Sequence, residues 1–545
     1  MNSASGTAVL RRTSVSRLAA AAALIPALLL GIDGWLDAVS VLPWAGAALA
    51  SVLPIDPTSG SAMLVIADAL AAFLLAIALA RCKRFTWGIG IAVLAAGAVQ
   101  QGLVVNHPIG AIVAVACAII LVLDRNRYVG MSPPDTGRLV AILAVAGLIA
   151  PVVVLALANA GSAGAPGAAV SWLALGDPTR PLGLSLDDGM NWLLAAARVP
   201  WILALILVLR PAPDPEYVAA GRPRARDLAL RYGGGALWPF QIAADKQLFS
   251  EPGRTAVIAY GRHGRTACVV GDPMGTQENG WALFDDFVAE CHQRDWLPAV
   301  YQASPESRGP LAAAGFTCYG IGQEAVLPLA GFSLIGRPRA NLRHTITRAK
   351  KGGVSVTWYP QGLSAEEAEK RWPALNEMDL RWRKKAGPSL GFTIGRFERS
   401  ILEDRPISIA YYADDRPIAF TSFLPTGVDG CWVLDLMRRE AGGVPGALEW
   451  CVAEAATELG RAGETTLSLS LAPLAGIGGP GAPWPERVLA TGARLLRPVY
   501  DVRGLAFFKD KFDVRWEPRY LAIQHLWDLP SIGLGLLSLH LRRTQ

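Results

Sequence analysis

None of the seven cysteines forms a CxxC or any close-set pair, and none of the six histidines stands at HxxxH spacing. These absences give no sign of a disulfide framework and argue against a structural zinc site. Cys82, Cys117, Cys268, Cys291, Cys318, Cys431 and Cys451 read as buried free thiols in a reducing compartment. A strong excess of one charge is missing as well. The formal net charge is +6; residues 1–210 hold 12 Lys/Arg against 9 Asp/Glu, leaving 39 of the 51 and 36 of the 45 for the remainder. A polyanionic partner would therefore have to be held by local basic patches.

The chain does have long apolar runs, all before residue 210. At 545 residues it is too long for one domain, and its composition changes at Arg210 from Ala, Leu, Val and Ile to ordinary mixed-charge sequence. Six stretches, about 16–35, 62–80, 87–105, 108–123, 139–159 and 192–209, qualify as the roughly 20-residue apolar runs that a membrane helix needs. The first ends in GIDGWLDAVS, which lacks a convincing cleavage site, so it is expected to be retained. Basic residues then sort the loops. Arg11, Arg12, Arg17, Arg81, Lys83, Arg84, Arg125, Arg127, Arg138 and Arg210 fall on one side, whereas 36–61, 106–107 and 160–191 together hold one Arg and no Lys. The positive-inside rule puts the N-terminus and everything after 210 in the cytoplasm of a bacterial inner-membrane protein. Asp68 and Gln100–Gln101 are polar exceptions within the spans.

The remainder is built on strand signals that recur. RTAVIAY (254–260), a turn and RTACVVGD (265–272) are matched later by ISIAYYA (407–413), a turn and IAFTSFL (418–424). CWVLDLM (431–437), a loop, a helix over about 446–460 and TTLSLSLA (465–472) follow. That helix puts Leu448, Cys451, Val452, Ala455 and Leu459 on one face. Three strands, a loop, a helix and a strand is the order of a GNAT-type acyltransferase core. The expected architecture is an α-helical membrane domain of about six transmembrane helices (1–210), then an α+β tandem GNAT-like unit. Its first domain with a connecting helix is expected over 211–386. The second, catalytic domain with an amphipathic tail is expected over 387–545.

Seven blocks in chain order carry a resemblance: DKQLFS (245–250), GDPMG (271–275), NLRHTITRAKKGG (341–353), GFTIGRF (391–397), DLMRR (435–439), APLAG (472–476) and FKDKFDVRWEPRYLA (508–522). Together they resemble the C-terminal domain of the phosphatidylglycerol lysyl- and alanyltransferases, the multiple peptide resistance factor family. The resemblance implies an enzyme that transfers an aminoacyl group, Lys or Ala, from aminoacyl-tRNA to the glycerol hydroxyl of phosphatidylglycerol. It would work at the cytoplasmic face, with no metal or cofactor. The chain has Ser468 and Ser470 where the family favours Asn and Gly, which leaves the amino acid open. Longer family members add a flippase region.

Aminoacyl-tRNA is an activated ester, so such an enzyme mainly aligns a hydroxyl against it, with a carboxylate to take the proton and a cation to steady charge. Asp435 and Arg438, at the end of a core strand, are the candidates for catalysis; their alternative is a strand-end ion pair. Lys509, Lys511 and Arg519 sit among Phe512, Trp516 and Tyr520 in a pattern suited to a phosphate-bearing partner or to core anchoring. With Ser470, Pro473 and Gly446 they form the expected substrate-binding set. Arg339, Arg343, Arg348, Lys350 and Lys351 lie on an amphipathic helix that would meet tRNA or lipid phosphate, or else form a solvated face. GDPMG reads as a turn whose glycines serve backbone geometry. The tail SIGLGLLSLHLRR (531–543) is too short to span and would pack on the bilayer surface or on the soluble domain. An acyl-CoA-dependent GNAT enzyme needs R/Q-x-x-G-x-G/A; Arg439-Glu440-Ala441-Gly442-Gly443-Val444 fails at its last position. That enzyme, or an aminoacyl-tRNA user with another acceptor, is the alternative. A transporter with a regulatory soluble half is disfavoured by the few charges in the spans.

Overall fold

The computed structural model describes a few residues between 67 and 79 and then, apart from scattered positions, 81–99, 108–133, 136–158, 195–215, 221–386, 391–495 and 502–541. Two compact units result, one made of residues up to Asp214 with His292–Trp296, the other of the remainder. The expected span over 16–35, and most of that over 62–80, lie outside the described residues.

In the first unit, α1 (Arg84–Val99), α2 (Pro108–Leu123), α3 (Thr136–Ala158) and α4 (Val199–Val208) fall on the other four expected spans. Among the described residues, no helix is long and apolar enough to cross a membrane. At about 1.5 Å per residue, α1 and α2 rise roughly 24 Å, against a hydrocarbon core of about 30 Å. The helices are nonetheless apolar on their outer faces: Ile112 and Ile119 of α2 and Ile142, Val145 and Ile149 of α3 are exposed. Lys83, just before α1, is a charge held inside this apolar unit. It is fully buried, donates from Nζ to the carbonyls of Met131 (2.8 Å) and Arg210 (2.9 Å), and pairs with Asp295 at 3.1 Å.

The second unit is organised by one sheet whose strands, among the described residues, run in the order β1-β2-β3-β5-β12-β6-β11-β10-β9-β8-β7. The first half supplies β1 (Gln247–Phe249), β2 (Ala256–His263), β3 (Thr266–Val270), the short β4 (Met274–Gly275), β5 (Leu297–Ala303) and β6 (Thr317–Pro328). The second half supplies β7 (Ser355–Tyr359), β8 (Ile407–Tyr411), β9 (Pro417–Pro425), β10 (Cys431–Arg439), β11 (Thr466–Pro473) and β12 (Arg515–Ile523). The longer helices are α5 (Gly221–Tyr232), α6 (Gln277–Gln293), α7 (Ala340–Lys351), α8 (Ala365–Ala386), α9 (Ala447–Arg461), α10 (Trp484–Leu495), α11 (Val502–Asp510) and α12 (Leu529–Leu541).

The repeated unit seen in the sequence is visible as two β-α-β crossovers. β3 pairs in parallel with β5 across α6, and β10 pairs in parallel with β11 across α9. The halves then exchange their last strands. β12, from the second half, lies antiparallel between β5 and β6, while β6, from the first, lies against β11. Each half thus completes its sheet with the other's strand.

Apolar alternation explains which faces are buried. Val452, Ala455 and Leu459 of α9 pack with Leu342 and Ile346 of α7 on Leu434, Leu467 and Leu469 of the sheet. On the opposite side Leu375 and Met378 of α8 meet Ile409, Phe420 and Leu436. The turn after α11 inserts Phe512, which has no exposure, into the first of these clusters, beside Phe508 at 5.5 Å between ring centroids. Truncating Phe512 to Ala should cost about 3–5 kcal/mol, through lost transfer energy and the cavity left behind. It should lower the denaturant midpoint of the second unit; an unchanged midpoint would show that the turn is not part of this core.

Candidate functional site

The geometry of the site follows from two irregularities in adjacent parallel strands. β10 and β11 pair at Cys431–Thr466, Trp432–Leu467 and Val433–Ser468, and pairing stops there although both strands continue. On β10 a bulge falls between Leu434 and Leu436, so Asp435 is the extra residue against β9. Neighbouring strand residues ordinarily point to opposite faces. The bulge removes that alternation and brings Asp435 to the side of Leu436, toward the segment that carries Gly395. Arg438, two residues beyond Leu436, reaches α8 from that same side. On β11 the register against β6 shifts between Ser468 and Leu471, and Ser470 adopts a left-handed φ of 66°.

Asp435 and Arg438 share a face but do not pair with each other. The Asp435 side chain is 1% exposed; its Oδ2 pairs with Arg405 and accepts from Ser422 Oγ at 3.0 Å. Oδ1 has no hydrogen-bond partner among the described residues. Burial pushes this carboxyl above the usual carboxylate range, and the Arg405 guanidinium, the Ser422 hydroxyl and Arg438 oppose that rise. A Cβ added to Gly395 would lie far inside van der Waals contact of Oδ1, so the GFTIGRF segment needs glycine there. Arg438 donates from Nε to Asp379 Oδ1 at 2.6 Å and lies 4.0 Å from the Trp382 ring centroid. Asp379 is also held by Arg383. Burial lowers the Arg438 pKa, against the pull of Asp379.

The other expected residues divide by what they already touch. Lys509 is buried, and its Nζ donates to the carbonyls of Ser470 and Leu471, each at 2.8 Å. It thereby caps the irregular stretch of β11, and burial lowers its pKa to about 7 while Glu324 works to raise it. Ser470 Oγ donates to Leu434 O at 2.8 Å, bridging the strands where they stop pairing. Pro473 ends β11 opposite Gly322. Arg519 donates to Glu324 at 2.6 Å, and Ser468 donates to the same carboxylate. Lys511 pairs with Glu449 in the first turn of α9 at 2.8 Å. Gly446 precedes α9 with φ of 99°, and an added Cβ there would collide with Thr345 O of α7. The basic helix therefore lies directly beside the start of α9.

The five-residue patch is not uniformly available. Arg339 donates to Phe512 O at 3.2 Å and covers the Phe332 ring, while Arg343 donates to Leu334 O at 2.7 Å. Both pin the preceding loop. Arg348, Lys350 and Lys351 are exposed, with Lys350 over the Trp450 ring of α9 at 4.8 Å. Sequence reasoning missed Arg405, Ser422, Asp379, Trp382 and Glu324. Ser422, a polar residue in an apolar strand, offered a signal; the others become partners only through the fold. In GDPMG, Gly275 has φ of 121° against Thr255, and Asp272 accepts from Ser307 Oγ at 2.6 Å. That block serves turn geometry.

The profile described as phosphatidylglycerol lysyltransferase, C-terminal, matches residues 228–523, more than half of the chain. A phosphatidylglycerol lysyltransferase of Bacillus subtilis (strain 168) is 28% identical over 313 residues, 57% of this chain and 35% of the relative. The lysylphosphatidylglycerol biosynthesis bifunctional protein LysX of Gordonia bronchialis is 26% identical over 359 residues, 63% of this chain and 30% of that one. The chain thus spans about a third of the length of these curated relatives. Among solved structures, a C-terminal domain assigned to a lysylphosphatidylglycerol synthetase of Agrobacterium fabrum matches with TM-score 0.51 and 26% identity, over 59% of this chain and 97% of that domain. L-PGS from Bacillus licheniformis gives 0.51 and 25%, over 61% and 98%. The second unit thus resembles the tandem GNAT-like acyltransferase fold of these synthase domains.

The buried Lys509 gives a pH signature with a defined sign. In the unfolded chain its amine keeps its proton to about pH 10.4, whereas in the fold it loses it near 7. Between those limits the unfolded state binds more protons, so wild type gains stability as pH rises. Relative to Lys509→Met, wild type should become more stable from pH 7 toward 10, read as the difference in unfolding midpoints. A difference that stays flat with pH would mean that Lys509 remains charged in the fold.

Proposed function

The chain belongs to the phosphatidylglycerol lysyltransferase C-terminal family. On that premise we propose that it transfers an aminoacyl group, Lys or Ala, from aminoacyl-tRNA to the glycerol hydroxyl of phosphatidylglycerol. The observation that carries the reading is the family match across the second unit, together with a buried carboxylate at the divergence of two parallel strands. The proposed reaction joins the glycerol oxygen to the ester carbonyl carbon and breaks the bond to the terminal ribose. The glycerol proton finishes on the departing ribose oxygen.

Asp435 takes that proton and hands it on. Burial has already moved its affinity for a proton in the useful direction, and Arg405 and Ser422 hold one oxygen so that Oδ1 faces the reaction. Because the side chain is nearly inaccessible, it must be uncovered when substrate enters. Arg438 steadies the end of β10 against Asp379 and Trp382 and adds positive charge on the same face. Phosphates of the tRNA acceptor end meet Arg348, Lys350 and Lys351 beside the start of α9, where backbone amides and the helix dipole favour anions. The apolar outer faces of α2 and α3 support a bilayer setting, and the distribution of Lys and Arg supports a cytoplasmic second unit.

Expressing the chain in bacteria that lack aminoacylated lipids tests this directly. Lipid mass spectrometry should show phosphatidylglycerol heavier by one aminoacyl residue, whose mass names the amino acid. Asp435→Ala should abolish it, and Arg438→Ala should reduce it at least tenfold. An unchanged lipid profile from well-expressed protein would overturn the reading and favour another acceptor or an acyl-CoA donor. Gly395→Ala, which displaces the Asp435 carboxylate, should lower product by an order of magnitude while the chain remains folded. Full product from that variant would remove Asp435 from the chemistry.

A further inference from the structure

The C-terminal helix is chemically odd for a surface element. α12, LPSIGLGLLSLHL, contains no Asp, Glu, Lys or Arg. One face is used within the second unit: Ile532, Gly535 and Leu539 are buried, and the helix lies across the β2–β3 hairpin. Gly535 rests on Thr266, the Thr266 hydroxyl donates to Ser531 O at 3.1 Å, and Leu539 covers Gly261. Helical spacing puts Leu534, Leu537 and Leu541 on the other side, and they are 67%, 54% and 43% exposed. Trp527, just before the helix, is 61% exposed. Together these side chains offer apolar surface on the order of 400 Å², within the roughly 300–600 Å² of the largest patch on a typical monomer, which is often functional.

The surroundings select the occupant. The hairpin turn beside the helix is Arg262-His263-Gly264-Arg265, and the sequence continues beyond the helix with Arg542 and Arg543. From Pro518 to the last residue, Asp528 is the single acidic residue. At 13 residues the helix rises about 20 Å, too little to span a bilayer but enough to lie in its surface. A Trp next to a leucine face, flanked by cations, matches the interface between acyl chains and anionic headgroups.

We propose that α12 is a lipid-contacting helix whose Leu534, Leu537 and Leu541 face enters the surface of a bilayer containing anionic phospholipid, with the Arg262–Arg265 turn at the headgroups. The proposal rests on the membrane setting proposed above, and it adds to that setting a defined contact for the second unit. That contact would hold the second unit at the surface from which its lipid substrate comes.

The test uses the full chain in phosphatidylcholine vesicles with and without phosphatidylglycerol, carrying a nitroxide on Leu537→Cys. A label on Glu366→Cys, exposed on α8, is the water-facing reference, and signal from native cysteines is subtracted using the unsubstituted chain. Broadening by oxygen relative to a water-soluble nickel chelate reports immersion. The ratio at position 537 should exceed that at 366 several-fold, and phosphatidylglycerol should increase it. Equal ratios at the two positions would overturn the proposal. So would spin–spin broadening at 537 that vanishes on dilution with unlabelled chain, because a second copy would then cover the face. Immersion indifferent to phosphatidylglycerol would remove the headgroup contact. The readout does not involve transfer, so immersion without a lipid product, or a product without immersion, separates failure of the proposed reaction from failure of this contact.

Discussion

The antiparallel pairing of β6 with β12 is the constraint on which the second unit depends. Nine residue pairs join a strand of the first half to one of the second, and each of the two also borders a strand from the opposite half. The sheet is therefore continuous from β1 to β7, and neither half closes its hydrogen bonding by itself. The same exchange brings Glu324 of β6 to the strand divergence. There it accepts from Ser468 of β11 and Arg519 of β12. A carboxylate from the first half thus holds two elements of the second.

Charge burial around this junction is dense, and every buried charge follows the same logic. Lys509, Asp435 and Arg438 are each removed from water, and each has gained a partner that offsets part of that cost: backbone carbonyls, a guanidinium with a hydroxyl, and a carboxylate over an aromatic ring. Such networks fix geometry more than they add stability. Here they hold a bulge, a left-handed serine and a strand end in arrangements that neither β-propensity nor apolar packing would choose. GFTIGRF takes part from both ends. Gly391 donates to His540 O of α12, Phe392 packs on Cys268 and Leu539, and Gly395 backs Asp435. The C-terminal helix and the carboxylate are thus linked through one short segment.

Much of this architecture was legible because it follows periodicity. The strands at 254–272, 407–424 and 431–437 and the helix after Gly446 carry two- and 3.6-residue patterns that survive without tertiary information, and the order of elements then names the fold class. The strand exchange was not legible, because alternation identifies a strand and says nothing of which half it joins. Asp435 and Arg438 were found through their place in DLMRR, but at three residues apart a regular strand would have put them on opposite faces. The bulge that reunites them has no local sequence mark. Arg339 and Arg343 look identical to Arg348 in a charge run, and only the loop carbonyls they reach separate them. The apolar N-terminal segments were read from composition, and the described residues there show helices without showing a span.

The strand exchange also sets a timetable for synthesis. β5 and β6 leave the ribosome first, yet the strand that belongs between them begins only at Arg515. At about 5–20 residues per second the intervening chain takes on the order of ten seconds or more. Throughout that interval one edge of β5 and both edges of β6 lack the strands they finally pair with. Shielding of those edges during synthesis then bears on the yield of folded chain, alongside the stability of the finished fold.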